Sequence, residues 1–217
     1  MIAPILPANE AQRVTALNQL ELLNGKSEAR FDRITRVLAA VLDVPVAMVN
    51  MITPAQQINK SCFGMEPGFE MDRSASFCGH TILSAEPLIV EDALKDARFA
   101  DNPNVLDGLK IRAYAGVPLK ALNGTHPGAL CIIDTKPRHF SDKELSLLND
   151  LAAWAEIELN SSQLREALDE LNSTQESLET QLAETQRLND LMIGRELKMV
   201  EMKAHIRKLE AQASAKK

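Results

Sequence analysis

Apolar residues recur at intervals of three and four among Val14, Leu17, Leu20, Leu22 and Leu23, and again from Phe31 to Leu42. That is the period of helices with one face turned to a core. Asn9 followed by Gln12 predicts a capping box for the first helix, and Gly25 its end. The second helix is expected over 28–42, burying Phe31, Ile34, Val37, Leu38, Val41 and Leu42. Asp43-Val44-Pro45 should stop it, because a residue before proline avoids the helical region. Residues 46–52 are almost wholly apolar, which predicts a short strand covered on both faces. A turn over 53–56 leads to a partner strand over 57–63, and residues 64–73, with Gly64, Pro67 and Gly68, read as loop. A short helix is expected over 77–85, capped by Ser74 or Ser76, then a strand over 88–90 and a long polar connection over 92–108. Ile111, Ala113, Ala115, Val117 and Leu119 alternate with Arg112, Tyr114, Gly116 and Pro118, predicting a strand with one inward face. Asn123-Gly124 marks a hairpin, and 128–135 reads as a last, central strand.

Ser141 and Glu144 form a second capping-box pattern, opening a long helix whose Leu145, Leu148, Leu151, Ala152 and Ala155 face the core. Beyond residue 160 the period changes. Leu164, Leu168, Leu171, Gln175, Leu178 and Leu182 step alternately by four and three, the seam of a coiled coil. The seam loses phase near Gln186, Asn189 and Asp190 and resumes through Ile193, Leu197, Val200 and Ala204, which is a stutter. Gly194 beside it weakens the helix further. The expected class is α+β: an antiparallel sheet of five to six strands flanked by helices, followed by a parallel dimeric coiled coil. The expected divisions are a tail over 1–8, a domain over 9–160 and a coiled-coil helix over 161–217.

Composition narrows the function. The 217 residues carry a net charge of −6, which argues against a nucleic-acid surface. No apolar run approaches the ~20 residues of a membrane helix, and the start lacks a basic, then apolar, export signal; a cytoplasmic protein is expected, with no membrane partner. Cys62, Cys78 and Cys131 are odd in number and contain no CxxC, and the four histidines form no metal-binding spacing, so no metal site is expected.

The chemistry concentrates in 73–103. There Ser-Phe-Cys-Gly-His-Thr-Ile is followed by Pro-Leu-Ile-Val-Glu-Asp-Ala and Arg-Phe-Ala-Asp-Asn-Pro. These blocks resemble the middle of a bacterial GAF domain, of the kind that precedes histidine kinases and diguanylate cyclases, and the resemblance covers roughly 9–159. It implies a GAF fold and a sensor that binds a small molecule, of unknown identity, between the sheet and the 73–103 segment, or that senses redox state there. The terminal stretch Gly194–Glu210 is similar to helical linkers that join such sensors to kinase cores. A homodimer with a kinase or cyclase output follows as the expected partnership, and the chain itself is expected not to be an enzyme.

The candidate ligand residues are Phe77, Cys78, His80, Asp92, Phe99, Arg112, Tyr114 and Asp134. Phe77, Phe99 and Tyr114 would supply apolar walls and Arg112 an anion contact. Cys78, at a helix N-terminus, reads either as a thiol of lowered pKa or as a small buried residue. Two related chemistries lack their residues. Bilin-binding GAF domains carry adjacent Cys-His, and here Gly79 intervenes. GAF-type methionine sulfoxide reductases need a cysteine in the loop that here reads DALKDARFADNP. Asn59-Lys60 matches only half of the cyclic-nucleotide motif of this family. The remaining alternative is an interaction protein that binds no ligand. The dimer seam is expected at Leu164, Leu168, Leu171, Leu178, Leu182, Ile193, Leu197 and Val200.

Overall fold

The two leading apolar runs form helices α1 (Glu10–Gln19) and α2 (Ala29–Leu42). The computed structural model describes residues 1–214 apart from 24, 25, 67 and 68, and the side chains among them except those of 205 and 208–214. Gly25, and Pro67 and Gly68 of the expected loop, therefore lie outside the described residues. The other elements are β1 (Val46–Ile52), β2 (Gln56–Phe63), β3 (Glu70–Asp72), a 3₁₀ turn (Arg73–Ala75), α3 (Phe77–Thr81), β4 (Leu88–Val90), α4 (Pro103–Leu106), β5 (Ala113–Leu119), β6 (Gly128–Asp134) and α5 (Asp142–Ser214). The chain divides into two compact units, Met1–Gln163 and Leu164–Lys217.

The first unit is an antiparallel sheet of order β3-β2-β1-β6-β5-β4. Its fold is α+β, as the order of elements predicts. The central strands β1 and β6 are sealed on both faces. Ala47, Val49, Met51, Leu130 and Ile132 pack with Phe31, Ile34 and Leu38 of α2 and with Leu148, Ala152 and Ala155 of α5. Val46, Met48, Cys131 and Ile133 face the other way, beneath Phe77, Cys78 and the 90–111 connection.

Several local expectations are corrected. Asn9 precedes α1 but makes no side-chain cap; Glu10 is instead drawn to Arg13, whose Nε and NH2 both donate to its carboxylate at 2.7 Å. Val37 and Val41 of α2 are exposed. The buried face is set by Phe31, Ile34, Thr35, Leu38, Ala39 and Leu42, and a 3.6-residue period puts 37 and 41 a quarter turn or more away from its centre. The stop at Asp43 is a left-handed residue, φ 50°, whose N–H bonds Ala39 O. The expected loop 64–73 contains β3, paired to β2 through Gln56↔Asp72, Gln57↔Met71 and Ile58↔Glu70.

Strand β5 is buried at every position, not on one face. Tyr114 and Gly116 lie under the α3 segment because this sheet is covered on both sides. A Cβ on Gly116 would stand 2.1 Å from the Tyr114 hydroxyl, so the glycine leaves the room in which the phenol ring lies. The Asn123-Gly124 hairpin forms, with Gly124 at φ +82° and Asn123 Oδ1 accepting from Thr125 N at 3.1 Å. The Ser141–Glu144 box also forms: Ser141 N donates to Glu144 Oε2 at 2.8 Å and Glu144 N to Ser141 Oγ at 3.4 Å.

In the second unit α5 continues with its leucines exposed, Leu164, Leu168, Leu171, Leu178 and Leu182 among them. No described helix is long and apolar enough to cross a membrane.

Candidate functional site

Helix α3 is the lid of the second core. Ser76 caps it, its hydroxyl accepting from Gly79 N at 2.8 Å while donating to Gln57 Oε1 at 2.5 Å. That double use of one hydroxyl ties the start of α3 to strand β2. The cap turns Phe77 and Cys78 down onto the sheet. Phe77 stacks on Phe99, ring centroids 3.9 Å apart, and tilts against Tyr114 at 5.2 Å. His80, one turn on, meets Phe99 edge-on at 5.0 Å. Four of the eight residues expected to line a pocket, Phe77, Cys78, Phe99 and Tyr114, are thus brought together. They fill the space themselves: the crevice lined by Met48, Gln57, Met71, Phe77, Cys78, Leu109, Ile111, Tyr114 and Ile133 leaves about 10 Å³, the room of a single water.

Beneath the rings lies a cluster of sulfur and amide groups. Cys78 Sγ accepts from Asn50 Nδ2 at 3.3 Å and from Tyr114 OH at 3.3 Å, and it shares a 3.6 Å hydrogen bond with Cys131 Sγ. Asn50 Nδ2 also reaches Cys131 Sγ at 3.6 Å, and its Oδ1 accepts from Asn59 Nδ2 at 3.0 Å. Tyr114 OH shares a 2.6 Å bond with Thr81 Oγ1. These bonds set the two buried thiols apart. The hydrogen bond with Cys131, then the donations from Tyr114 and Asn50, pull the Cys78 thiol down against its burial. The same hydrogen bond, together with burial, pushes Cys131 well up. Burial also raises Tyr114 well above the usual phenol value. Cys62, on β2, is pushed up to about 11 by burial.

Of the other four candidates, Asp92, Arg112 and Asp134 form a separate rim at the strand ends. Asp92 Oδ1 takes both Nε and NH2 of Arg112, at 3.2 and 2.9 Å, and the Arg112 guanidinium beside it holds the Asp92 carboxyl below its ordinary range. The Arg112 charge expected to meet an anion is therefore met internally. Asp134 faces Arg138, 3.4 Å away, while its carbonyl accepts from Arg112 N at 2.8 Å. His80 is half-buried, with Nε2 2.9 Å from Ile2 O, and burial lowers its pKa.

Sequence reading missed the polar members. Asn50 sits mid-strand in an apolar run and Cys131 inside β6, and neither spacing hints that both meet Cys78. Lys60 was noticed only beside Asn59. It is fully buried, with Nζ 2.6 Å from Glu28 Oε1. A β-bulge explains its direction: Val49 pairs with Ser61 and Asn50 with Asn59, leaving Lys60 unopposed. Lys60 and Ser61 therefore both meet α2, where Ser61 Oγ donates to Asp32 Oδ1 at 2.6 Å.

Comparison with known proteins places this arrangement. The profile of the family described as GAF domain matches residues 27–159. A cyclic di-GMP phosphodiesterase of Pseudomonas aeruginosa is 29% identical over 171 residues, 78% of this chain and 29% of that protein, so the chain spans less than a third of the relative's length. Among solved structures, the GAF domain of PixJ from Thermosynechococcus elongatus, in its blue-light-absorbing form, superposes with a TM-score of 0.57 at 15% identity, covering 74% of this chain and 96% of that one. The GAF domain of an Acinetobacter phosphoenolpyruvate-protein phosphotransferase gives 0.51 at 20%, covering 68% and 92%. These two likenesses speak for the fold alone. The phosphodiesterase corrects one expectation: a chain read as having no enzymatic role has an enzyme for a relative.

Proposed function

Since this chain belongs to the GAF domain family, we propose that it is the cytoplasmic sensory module of a signalling enzyme, acting as a homodimer through its C-terminal helix. A small molecule entering beneath α3, by displacing Phe77 or Phe99, would shift the packing of the helix pair. The enzyme controlled in this way is a cyclic di-GMP phosphodiesterase or an output of related kind, a diguanylate cyclase or a histidine kinase. A ligand biases such a switch only through different affinities for its two states. The divisions proposed are a sensor over 9–160 and a transmitting helix over 161–217, with residues 1–8 leading into the first.

One observation carries this reading: the leucine seam is open. Leu164, Leu168, Leu171, Leu178, Leu182, Ile193, Leu197 and Val200 are all 45% exposed or more, at the spacing that buries such residues against a second helix. Trp154 and Ile157 are exposed too, and a count of 154, 157, 161, 164 keeps them in the same heptad register. Parallel pairing delivers both copies of the sensor to the same end. Native mass spectrometry of the gently purified protein tests the ligand half of the reading. Dimers carrying a discrete small molecule, lost on Phe99→Trp, support it; dimers of bare polypeptide mass, isolated from cells in which the full protein signals, contradict it.

A further inference from the structure

Of the buried groups, the two sulfurs of Cys78 and Cys131 are the least explained by packing alone. They come from α3 and β6, 53 residues apart in sequence, and sit 3.6 Å apart. Neither is a passive filler, because Asn50 donates to both and Tyr114 to Cys78. Asn50 is itself aimed by Asn59. We propose that Cys78 and Cys131 are a redox pair, oxidised by a hydroperoxide to a disulfide that pins α3 to the central strand β6. The proposal deepens the sensory reading by naming a second input, an oxidant, at the same lid.

The roles within the pair follow from the donors. Cys78 accepts two hydrogen bonds at its sulfur, from Asn50 and Tyr114, and shares a third with Cys131, which favours its thiolate and makes it the attacking group. Cys131 holds its proton longer and acts second. The crevice beside Cys78 has the room of a single water, so hydrogen peroxide, with two oxygens, reaches the sulfur when the partly exposed Met71 and Leu109 of its lining shift aside. In the first step the Cys78 thiolate attacks one peroxide oxygen: an S–O bond forms, the O–O bond breaks, and hydroxide leaves to take up a proton as water. Cys78 is then a sulfenic acid. In the second step the Cys131 sulfur attacks Cys78 Sγ, the S–S bond forms and the S–O bond breaks. The departing hydroxide takes the Cys131 proton. Two thiols and one peroxide become one disulfide and two waters. A cellular dithiol reverses the change by thiol–disulfide exchange. The consequence is mechanical: Phe77 and Cys78 are neighbours in α3, so a bond from Cys78 to β6 locks the ring that covers the pocket.

The test is peptide mapping of the native full chain after hydrogen peroxide, with free thiols alkylated under denaturing conditions. The expected result is a cross-linked pair of tryptic peptides, 74–95 with 121–138, and a loss of two hydrogens, unchanged in Cys62→Ser. In Cys131→Ser, Cys78 should stop at a sulfenic acid trapped by dimedone; in Cys78→Ser, Cys131 should stay unlabelled. Tyr114→Phe, which keeps the ring and removes one donor, should slow oxidation several-fold. Cross-links to Cys62, or native thiols that survive peroxide sufficient to oxidise the denatured chain, would overturn the pair. That failure leaves the ligand reading standing, because the latter is judged by the co-purifying mass and not by thiol chemistry.

Discussion

Phe77 and Phe99 lie face to face, 3.9 Å between centroids and 11° between planes. They join the short helix α3 to the polar connection that follows β4, and both are buried. This stack is an apolar contact between the lid and the 92–108 segment.

Removing one ring should therefore both weaken the domain and open the pocket. Phe99→Ala is expected to cost ~3–5 kcal/mol, the range for deleting a buried aromatic. Urea denaturation of the variant should show a lowered midpoint with little change in slope. A domain as stable as the parent would mean that the stack is not a core contact.

The start of α5 should answer to acid. Glu144 accepts from Ser141 and from Arg138 at 2.6 Å, and these bonds, Arg138 first, hold its carboxyl down at about 2, against an ordinary 4.5. A carboxyl depressed in the folded state stabilises it above the unfolded value and loses that contribution as pH falls from 4.5 toward 2. The group is partly exposed, so salt should reduce the effect. Glu144→Gln, which keeps the cap and removes the charge paired with Arg138, should lower stability near neutral pH by ~0.2–1 kcal/mol and flatten the loss of stability with acid across that window. Denaturation midpoints measured from neutral pH downward check both.

Most of the fold was legible because it rests on periodicity. The apolar runs of β1 and β6, the Asn123-Gly124 turn and the Ser141–Glu144 box each declare themselves over a few adjacent residues. What was not legible depends on residues far apart. Alternation in β5 reads as one wet face, yet α3 covers it, and only Gly116, small enough to lie beside the Tyr114 hydroxyl, marks the fact. The site was half legible. Phe77, Cys78, Phe99 and Tyr114 do meet, but Asn50 and Cys131 look like ordinary interior positions of their strands. The Asp92–Arg112 pair, expected to face a ligand, closes on itself.

The long helix α5 should have a weak point where its leucine seam loses phase. Gly194 has no heavy atom within 4 Å of where a Cβ would stand, so Gly194→Ala meets nothing and should stabilise the helix by ~1 kcal/mol. We expect backbone amides over 185–197 to exchange with deuterium faster than those over 164–182, and the difference to shrink in Gly194→Ala. Equal protection along both stretches, unchanged by the substitution, would make the interruption a tolerated flaw in a static coil.

The open leucine seam is the ground for the proposed link between sensing and output, and sedimentation velocity tests it most directly. At micromolar concentration the chain should sediment as a dimer, and the double variant Leu171→Lys, Leu178→Lys, with charges placed in the seam, as a folded monomer. An unmodified chain that sediments as a monomer at that concentration would contradict the account.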